Sequence, residues 1–118
     1  MRLMFITLTL VVFGLIAPVP AHAQMDHCSH DATIQSLRTC VHHAAAEGHI
    51  DNQGVTRSLL AKLDAAEAAH GRGQPEVALN LLEAFVREVR AQSGKHIVQE
   101  HADHLLMHAQ AVIEWLDE

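Results

Sequence analysis

Residues 75–95, PEVALNLLEAFVREVRAQSGK, form the stretch of this sequence that decides the fold. Pro75 suits a first helical position, and Gly94 is placed to end a helix in a left-handed turn. Between them, apolar residues recur at the spacing of one broad helical face. A helix with so wide an apolar face is not stable alone, so other helices must pack against it. The residues of this face are Val77, Ala78, Leu81, Leu82, Phe85, Val86 and Val89.

The same periodicity predicts three more helices, over about residues 32–47, 55–70 and 98–116. Asp31 is the expected N-cap of the first helix, and Gly48 is expected to end it. Ile50 lies in the turn that follows, where we expect it to be buried as an apolar plug. The sequence shows no alternating apolar run typical of a strand. It therefore predicts an all-α fold, a small four-helix bundle.

The N-terminal segment is typical of a secretory signal peptide. An apolar run from Leu3 to Ile16 follows a basic residue, and Ala21 and Ala23 offer the small side chains that a signal peptidase requires. The run is short for a membrane span, and no stop-transfer pattern follows it. We expect an exported protein, periplasmic or extracellular, with a cleaved signal peptide at 1–23, an irregular segment at 24–30 and the helical bundle at 31–118.

Charge and size narrow the possible functions. Removing 23 of the 118 residues leaves 95, with seven Lys and Arg against fourteen Asp and Glu, a net charge of −7 when histidine is neutral. This length suits one small domain. Nucleic acids and anionic membrane surfaces select basic patches, so neither is an expected partner. After cleavage the chain is not expected to be an integral membrane protein.

Residues 48–113 resemble the FIMAH domain, a small all-helical module of exported bacterial proteins. The resemblance rests on SLLAKL at 58–63, NLLEAF at 80–85 and AQSGK at 91–95, and on the closing Ala102, Leu105, Ala109 and Gln110. Val98 stands where similar domains have a small polar helix cap. The resemblance implies an accessory module that mediates an interaction, and it implies no catalytic residues.

Cys28 and Cys40 are the two cysteines of the chain. In an exported protein an even number favours a disulfide within one chain. An intermolecular bridge, free thiols and metal ligation are the alternatives. A helix that starts at residue 31 would place Cys40 roughly 13 Å along the axis. An intramolecular bridge therefore requires the helix to start late or the preceding segment to lie flat against it.

Three histidines of the predicted fourth helix are the main candidate site. Their spacing, His-x2-His-x3-His, places the imidazoles within about 60° of one another on one flank, where they could hold Zn or Cu. A half-exposed helix edge that binds nothing specific is the alternative. The candidate ligands are His101, His104 and His108, with His96, His70 or Asp103 as a possible fourth.

Two other groups of possible ligands are weaker candidates. The first lies before the first helix, and its members are Met25, His27, Cys28 and His30. The second flanks the end of that helix, where adjacent residues diverge by about 100° and histidines also complement the helix dipole. Its members are His42, His43 and His49.

The sequence contains no motif that predicts an enzyme. Two functions remain. The first is a non-catalytic exported helical module that needs no cofactor and docks onto an unidentified protein or envelope component. The alternative is a small periplasmic or secreted metal-binding protein that holds Zn or Cu through the histidines of the fourth helix.

Overall fold

The computed structural model describes residue 14 and residues 28–118, and its regular secondary structure there is four α-helices. Each helix contacts two others, in the pairs α1–α2, α2–α3, α3–α4 and α1–α4, so the helices close into a ring around one core. The predicted all-α bundle is confirmed. The predicted signal peptide and residues 24–27 lie outside the described residues, apart from Gly14. The helices are α1 (Ile34–Ala46), α2 (Gln53–Gly71), α3 (Pro75–Gln92) and α4 (Gln99–Asp117).

Helix α3 contributes the largest side chain of the core. Phe85 is fully buried, as are Leu82 and Val89, which lie about one turn to either side of it. Pro75 occupies the start of the helix as predicted. The expectation for Val77 is wrong: this side chain is 45% exposed. Val77 lies in the first turn of α3, where residues 71–77 are all exposed.

Helix α1 starts later than the sequence predicted. The cap is Thr33 rather than Asp31, because the Thr33 hydroxyl accepts a hydrogen bond of 3.1 Å from the backbone N–H of Ser36. The Asp31 carbonyl accepts instead from the backbone N–H of Thr33, at 2.7 Å. Asp31 therefore lies outside the helix and stays available for contacts with other elements.

The connections before α2 and before α4 pair with each other through backbone hydrogen bonds. The Asp51 N–H donates to the His96 carbonyl at 3.0 Å, and the Val98 N–H donates to the His49 carbonyl at 2.9 Å. Ile50 and Ile97 are both buried between the helices. The burial of Ile50 was predicted and that of Ile97 was not. This pairing fixes the end of α1 against the start of α4.

Gly48, Gly94 and Val98 lie at the helix ends beside these two connections. Gly48 and Gly94 adopt φ of 80° and 74°, the left-handed conformation that was predicted for Gly94. Val98 occupies the N-cap position of α4 without a side-chain hydrogen bond. The backbone N–H of Val98 donates to the His49 carbonyl, so Val98 is part of the pairing between the two connections.

The burial of Phe85 predicts that Phe85→Ala lowers the free energy of unfolding by about 3–5 kcal/mol, since it leaves a cavity in the centre of a small core. Urea unfolding followed by circular dichroism measures the change. Val77→Ala, in the same helix but exposed, is the matched control and should change stability by less than about 0.5 kcal/mol. A similar, small loss for both variants would show that α3 is not central to the core.

Candidate functional site

A groove of about 250 Å³ lies between α1 and α4 and collects histidines from three parts of the chain. Because α1 and α4 are neighbours in the ring, residues near the end of α1 face residues near the start of α4. Five of the ten lining residues are histidines, and Glu47 adds a carboxylate. The lining residues are Cys28, His30, Cys40, His43, Ala44, Glu47, His101, His104, Leu105 and His108.

The N-terminal segment is attached to this groove by the two cysteines. Cys28 and Cys40 are joined as a disulfide within the chain, with their Cα atoms 5.0 Å apart. The late start of α1 makes this possible, since residues 28–33 are free to run back beside the helix. The Ser36 hydroxyl also donates to the Ser29 carbonyl. These contacts place His30 with its ring centroid 5.6 Å from that of His108.

His108 is buried and fixed by the backbone of the N-terminal segment. The side chain is 4% exposed, and its Nε2–H donates to the Asp31 carbonyl at 2.7 Å. Nδ1 of the same ring is buried without a hydrogen-bond partner. Of the three histidines predicted as ligands on α4, this one therefore also has a structural role, because it holds Asp31 against the helix.

The other predicted ligands have different surroundings. His101 stacks on His49, with ring centroids 3.5 Å apart and the planes 16° from parallel. His104 is exposed at the edge of the groove. The proposed fourth ligands do not line the groove: His96 pairs with Asp51 at 2.8 Å, and His70 lies beside Trp115. In the part of the chain that the structure describes, no three His, Cys, Asp or Glu side chains already surround one ion position.

A second cluster lies at the end of α1; the sequence analysis named its two histidines, His43 and His49, as a weaker candidate group, but it did not predict the carboxylate of Glu47 between them. Oε2 of Glu47 is 3.3 Å from Nε2 of His43 and 3.2 Å from Nε2 of His49. His43 and Glu47 are one helical turn apart, a spacing visible in the sequence. His49 joins them only because the chain turns back at Gly48. His42 lines a different surface depression, so the adjacent pair of histidines does not share a site.

The position of His101 lowers its pKa below the ordinary value of 6.5. Partial burial of the ring is the largest cause, and the neighbouring His49 is the next. Glu100 and Glu47 act in the opposite direction, and His104 adds to the lowering. At neutral pH the imidazole of His101 is therefore predominantly uncharged, which is the form that stacks on another imidazole without charge repulsion.

The outer face of α4 exposes two large apolar side chains. Met107 is 72% exposed and Trp115 is 51% exposed. They are eight positions apart, and Ala111 lies midway, so all three share one face of the helix. A shallow depression of about 430 Å³ borders this face, lined by His30, His104, Met107, His108 and Ala111. We call Met107, Ala111 and Trp115 the α4 face.

Among residue 14 and residues 28–118, no helix has the length and apolar character needed to cross a membrane.

These features define a small all-α module with a histidine-lined groove and an exposed apolar helix face. Comparison with protein-family models matches the FIMAH domain over residues 34–114. The match covers more than half of the chain, which therefore belongs to the FIMAH domain family. It also includes α1, which precedes the resemblance at residues 48–113. No curated protein and no solved structure matches the chain.

The disulfide predicts the reactivity of the native protein toward alkylating reagents. Unreduced protein should incorporate no iodoacetamide at Cys28 or Cys40, and reduced, unfolded protein should incorporate two equivalents. Mass spectrometry of the intact chain measures both states. Two alkylated thiols in the native protein, or a mass twice that of one chain before reduction, would contradict a bridge within the chain.

The lowered pKa of His101 predicts a loss of stability in acid. Between the folded pKa of this group and 6.5 the unfolded chain binds more protons, so stability falls as pH decreases through that interval. Unfolding midpoints between pH 7.5 and 5, measured in EDTA, should fall less steeply for His101→Gln than for the wild type. His42→Gln, at an exposed histidine, is the control. Equal slopes for wild type and His101→Gln would refute the prediction.

Proposed function

We propose that this chain is a non-catalytic exported helical module that docks onto a protein or envelope component through the α4 face. The exposure of Met107 and Trp115 on one side of the same helix supports the proposal most directly. Single exposed apolar residues are common on protein surfaces, whereas Trp and Met on one continuous face are enriched at interfaces. Tryptophan is also among the residues that contribute most to binding energy.

The surroundings of the α4 face suit a protein partner. Trp115 lies near His70, with ring centroids 5.9 Å apart, so the aromatic surface extends toward the end of α2. The shallow depression beside Met107 offers space for a partner side chain. Since the core of the bundle is closed without these residues, Met107 and Trp115 are available for contacts outside the chain.

Export is part of this proposal. It rests on the signal-peptide pattern of residues 1–23 and on the cysteine pair, which an oxidising compartment would maintain. The net negative charge of the chain makes an anionic lipid surface a poor partner. An envelope protein or a secreted protein with an apolar surface is the favoured class of partner.

The second candidate function is Zn or Cu binding by His101, His104 and His108. One observation favours it: all three side chains line the same groove. The carbonyl contact of His108 leaves only Nδ1 of that ring for a ligand. Under this candidate, bound metal would be lost from a His104→Ala variant that still folds, because His104 is exposed and not part of the core.

Docking through the α4 face can be tested by site-specific cross-linking followed by a direct binding measurement. A photo-reactive amino acid at position 107 should capture a discrete partner in cells that export the protein, and the same group at exposed position 77 should not. The captured component is then purified, and its affinity for the untagged protein is measured by calorimetry.

We expect Trp115→Ala to weaken this binding by about 30-fold, the effect of losing an interface residue worth about 2 kcal/mol. Val77→Ala, which removes another exposed apolar side chain, on α3, should leave the affinity unchanged. Unaltered affinity in both Trp115→Ala and Met107→Ala would exclude the α4 face as the docking surface. Circular dichroism of each variant checks that the helices remain folded.

A further inference from the structure

The α4 face is bordered by exposed carboxylates. Helix α4 contains four acidic residues and neither Lys nor Arg. All four acidic side chains are exposed. At about 100° per residue, each of them lies within about 80° of Met107 around the helix axis. We call these four residues the acidic rim, and its members are Glu100, Asp103, Glu114 and Asp117.

The acidic rim is not explained by contacts within the chain. The salt bridges of residues 28–118 use acidic residues elsewhere in the fold, and none of them involves the rim. Helix stability does not account for the rim either. Glu114 and Asp117 lie in the last turn of α4, where the helix dipole disfavours negative charge. The position of these carboxylates therefore indicates a role outside the chain.

The α4 face itself forms a narrow strip along the helix. Met107, Ala111 and Trp115 follow one another at intervals of four residues, and the strip is about 12 Å long at 1.5 Å per residue. The small side chain of Ala111 leaves a low point between two large ones, next to the depression beside Met107. A second helix packed along α4 places side chains into such low points at regular intervals.

We propose that the α4 face binds an amphipathic helix of another exported protein, and that Lys and Arg residues flank the apolar stripe of this partner helix. The inference rests on the proposed docking through the α4 face and adds the chemistry of the partner. Apolar contact with Met107 and Trp115 supplies most of the affinity. Attraction between the basic flanks and the acidic rim selects this helix over others.

The charge of the rim argues against a second copy of this chain as the occupant. If two copies met through their α4 faces, the two acidic rims would lie against each other. Like charges brought together across an interface are unfavourable, and α4 supplies neither Lys nor Arg to neutralise them. A partner helix with basic flanks replaces this repulsion with attraction.

Two synthetic helical peptides without tryptophan test the charge of the partner. Both carry the same stripe of leucines; one has Lys and Arg on its flanks, and the other has Glu at those positions. Trp115 is the only tryptophan of the chain and is exposed, so its fluorescence reports burial of the α4 face. In the full exported protein with its disulfide intact, we expect the basic peptide to shift this emission to shorter wavelength. The acidic peptide should leave it unchanged.

Charge variants locate the attraction at the rim, with fluorescence anisotropy of the labelled basic peptide as the measure of affinity. Asp103→Asn and Glu114→Gln should each weaken binding by about two- to fivefold, the effect of losing one exposed ion pair. Raising NaCl from about 0.02 M to about 0.3 M should weaken binding to the wild type, because salt screens such pairs. Glu83→Gln removes an exposed carboxylate of α3 and is the matched control, with unchanged affinity. Circular dichroism confirms that each variant folds.

The outcomes distinguish the charge of the partner from the docking surface itself. Equal binding of both peptides, each with a shift of the Trp115 emission, overturns selection by charge and leaves docking through the α4 face intact. Equal weakening in Asp103→Asn and Glu83→Gln overturns the proposal, since it shows attraction to the net negative charge of the whole chain. Binding of the basic peptide without a shift of the Trp115 emission also overturns it.

Two further results would contradict the proposed partner. If neither peptide binds, a basic amphipathic helix is not the occupant, and the cross-linking experiment alone decides whether the α4 face is a docking surface. If the wild type forms a dimer that Met107→Ala abolishes, the occupant is a second copy of the chain. Sedimentation of both proteins at the concentrations of the peptide titration measures this.

Discussion

The candidate site depends on the pairing of two short connections. Ile50 and Ile97 are buried side by side, and two backbone hydrogen bonds between residues 49–51 and 96–98 join the segments before α2 and α4. This pairing adds to the direct packing of α1 against α4 and fixes the residues that flank the end of α1 and the start of α4. Because it exists, His49 meets His101, and Glu47 lies at the edge of the same groove. Backbone pairing around two buried isoleucines thus helps to decide which titratable groups become neighbours.

A disulfide and a side-chain hydrogen bond fix the other end of the groove. The disulfide holds Cys28 against α1, and the buried ring of His108 donates to the Asp31 carbonyl. Burial of a polar ring is unfavourable unless the ring forms a hydrogen bond. The hydrogen bond to Asp31 therefore stabilises the buried position of His108 between α4 and the N-terminal segment. The groove is therefore bounded by a covalent link at one end and by backbone pairing at the other. This explains how a small domain can maintain a histidine-lined groove beside its core.

Sequence periodicity predicted the helices well, because burial of an apolar face is a local, repeating pattern, as at Leu82, Phe85 and Val89. Periodicity gave wrong predictions for residues whose positions depend on contacts distant in sequence. Val77 fits the helical face but lies in an exposed first turn, and Asp31 was expected to cap α1 but lies outside it. The site was predicted only in part for the same reason. Helical spacing placed His101, His104 and His108 on one flank, but it could not show that His49 would stack on the first of them or that Asp31 would bind the last.

The arrangement of α4 separates two kinds of surface on one helix. Its early residue His101 faces the end of α1, whereas Met107 and Trp115 are exposed on its outer face. The core residue Leu105 lies between these regions in sequence and is nearly fully buried, which keeps the helix axis fixed. The two surfaces meet at His30, His104 and His108, which line both the groove and the depression beside Met107. Helix α3 has no comparable division, since its large buried residues serve the core alone. In this member of the FIMAH domain family, the histidine-lined groove lies between α1 and α4, the exposed apolar face lies on α4, and α3 contributes the largest side chain of the core.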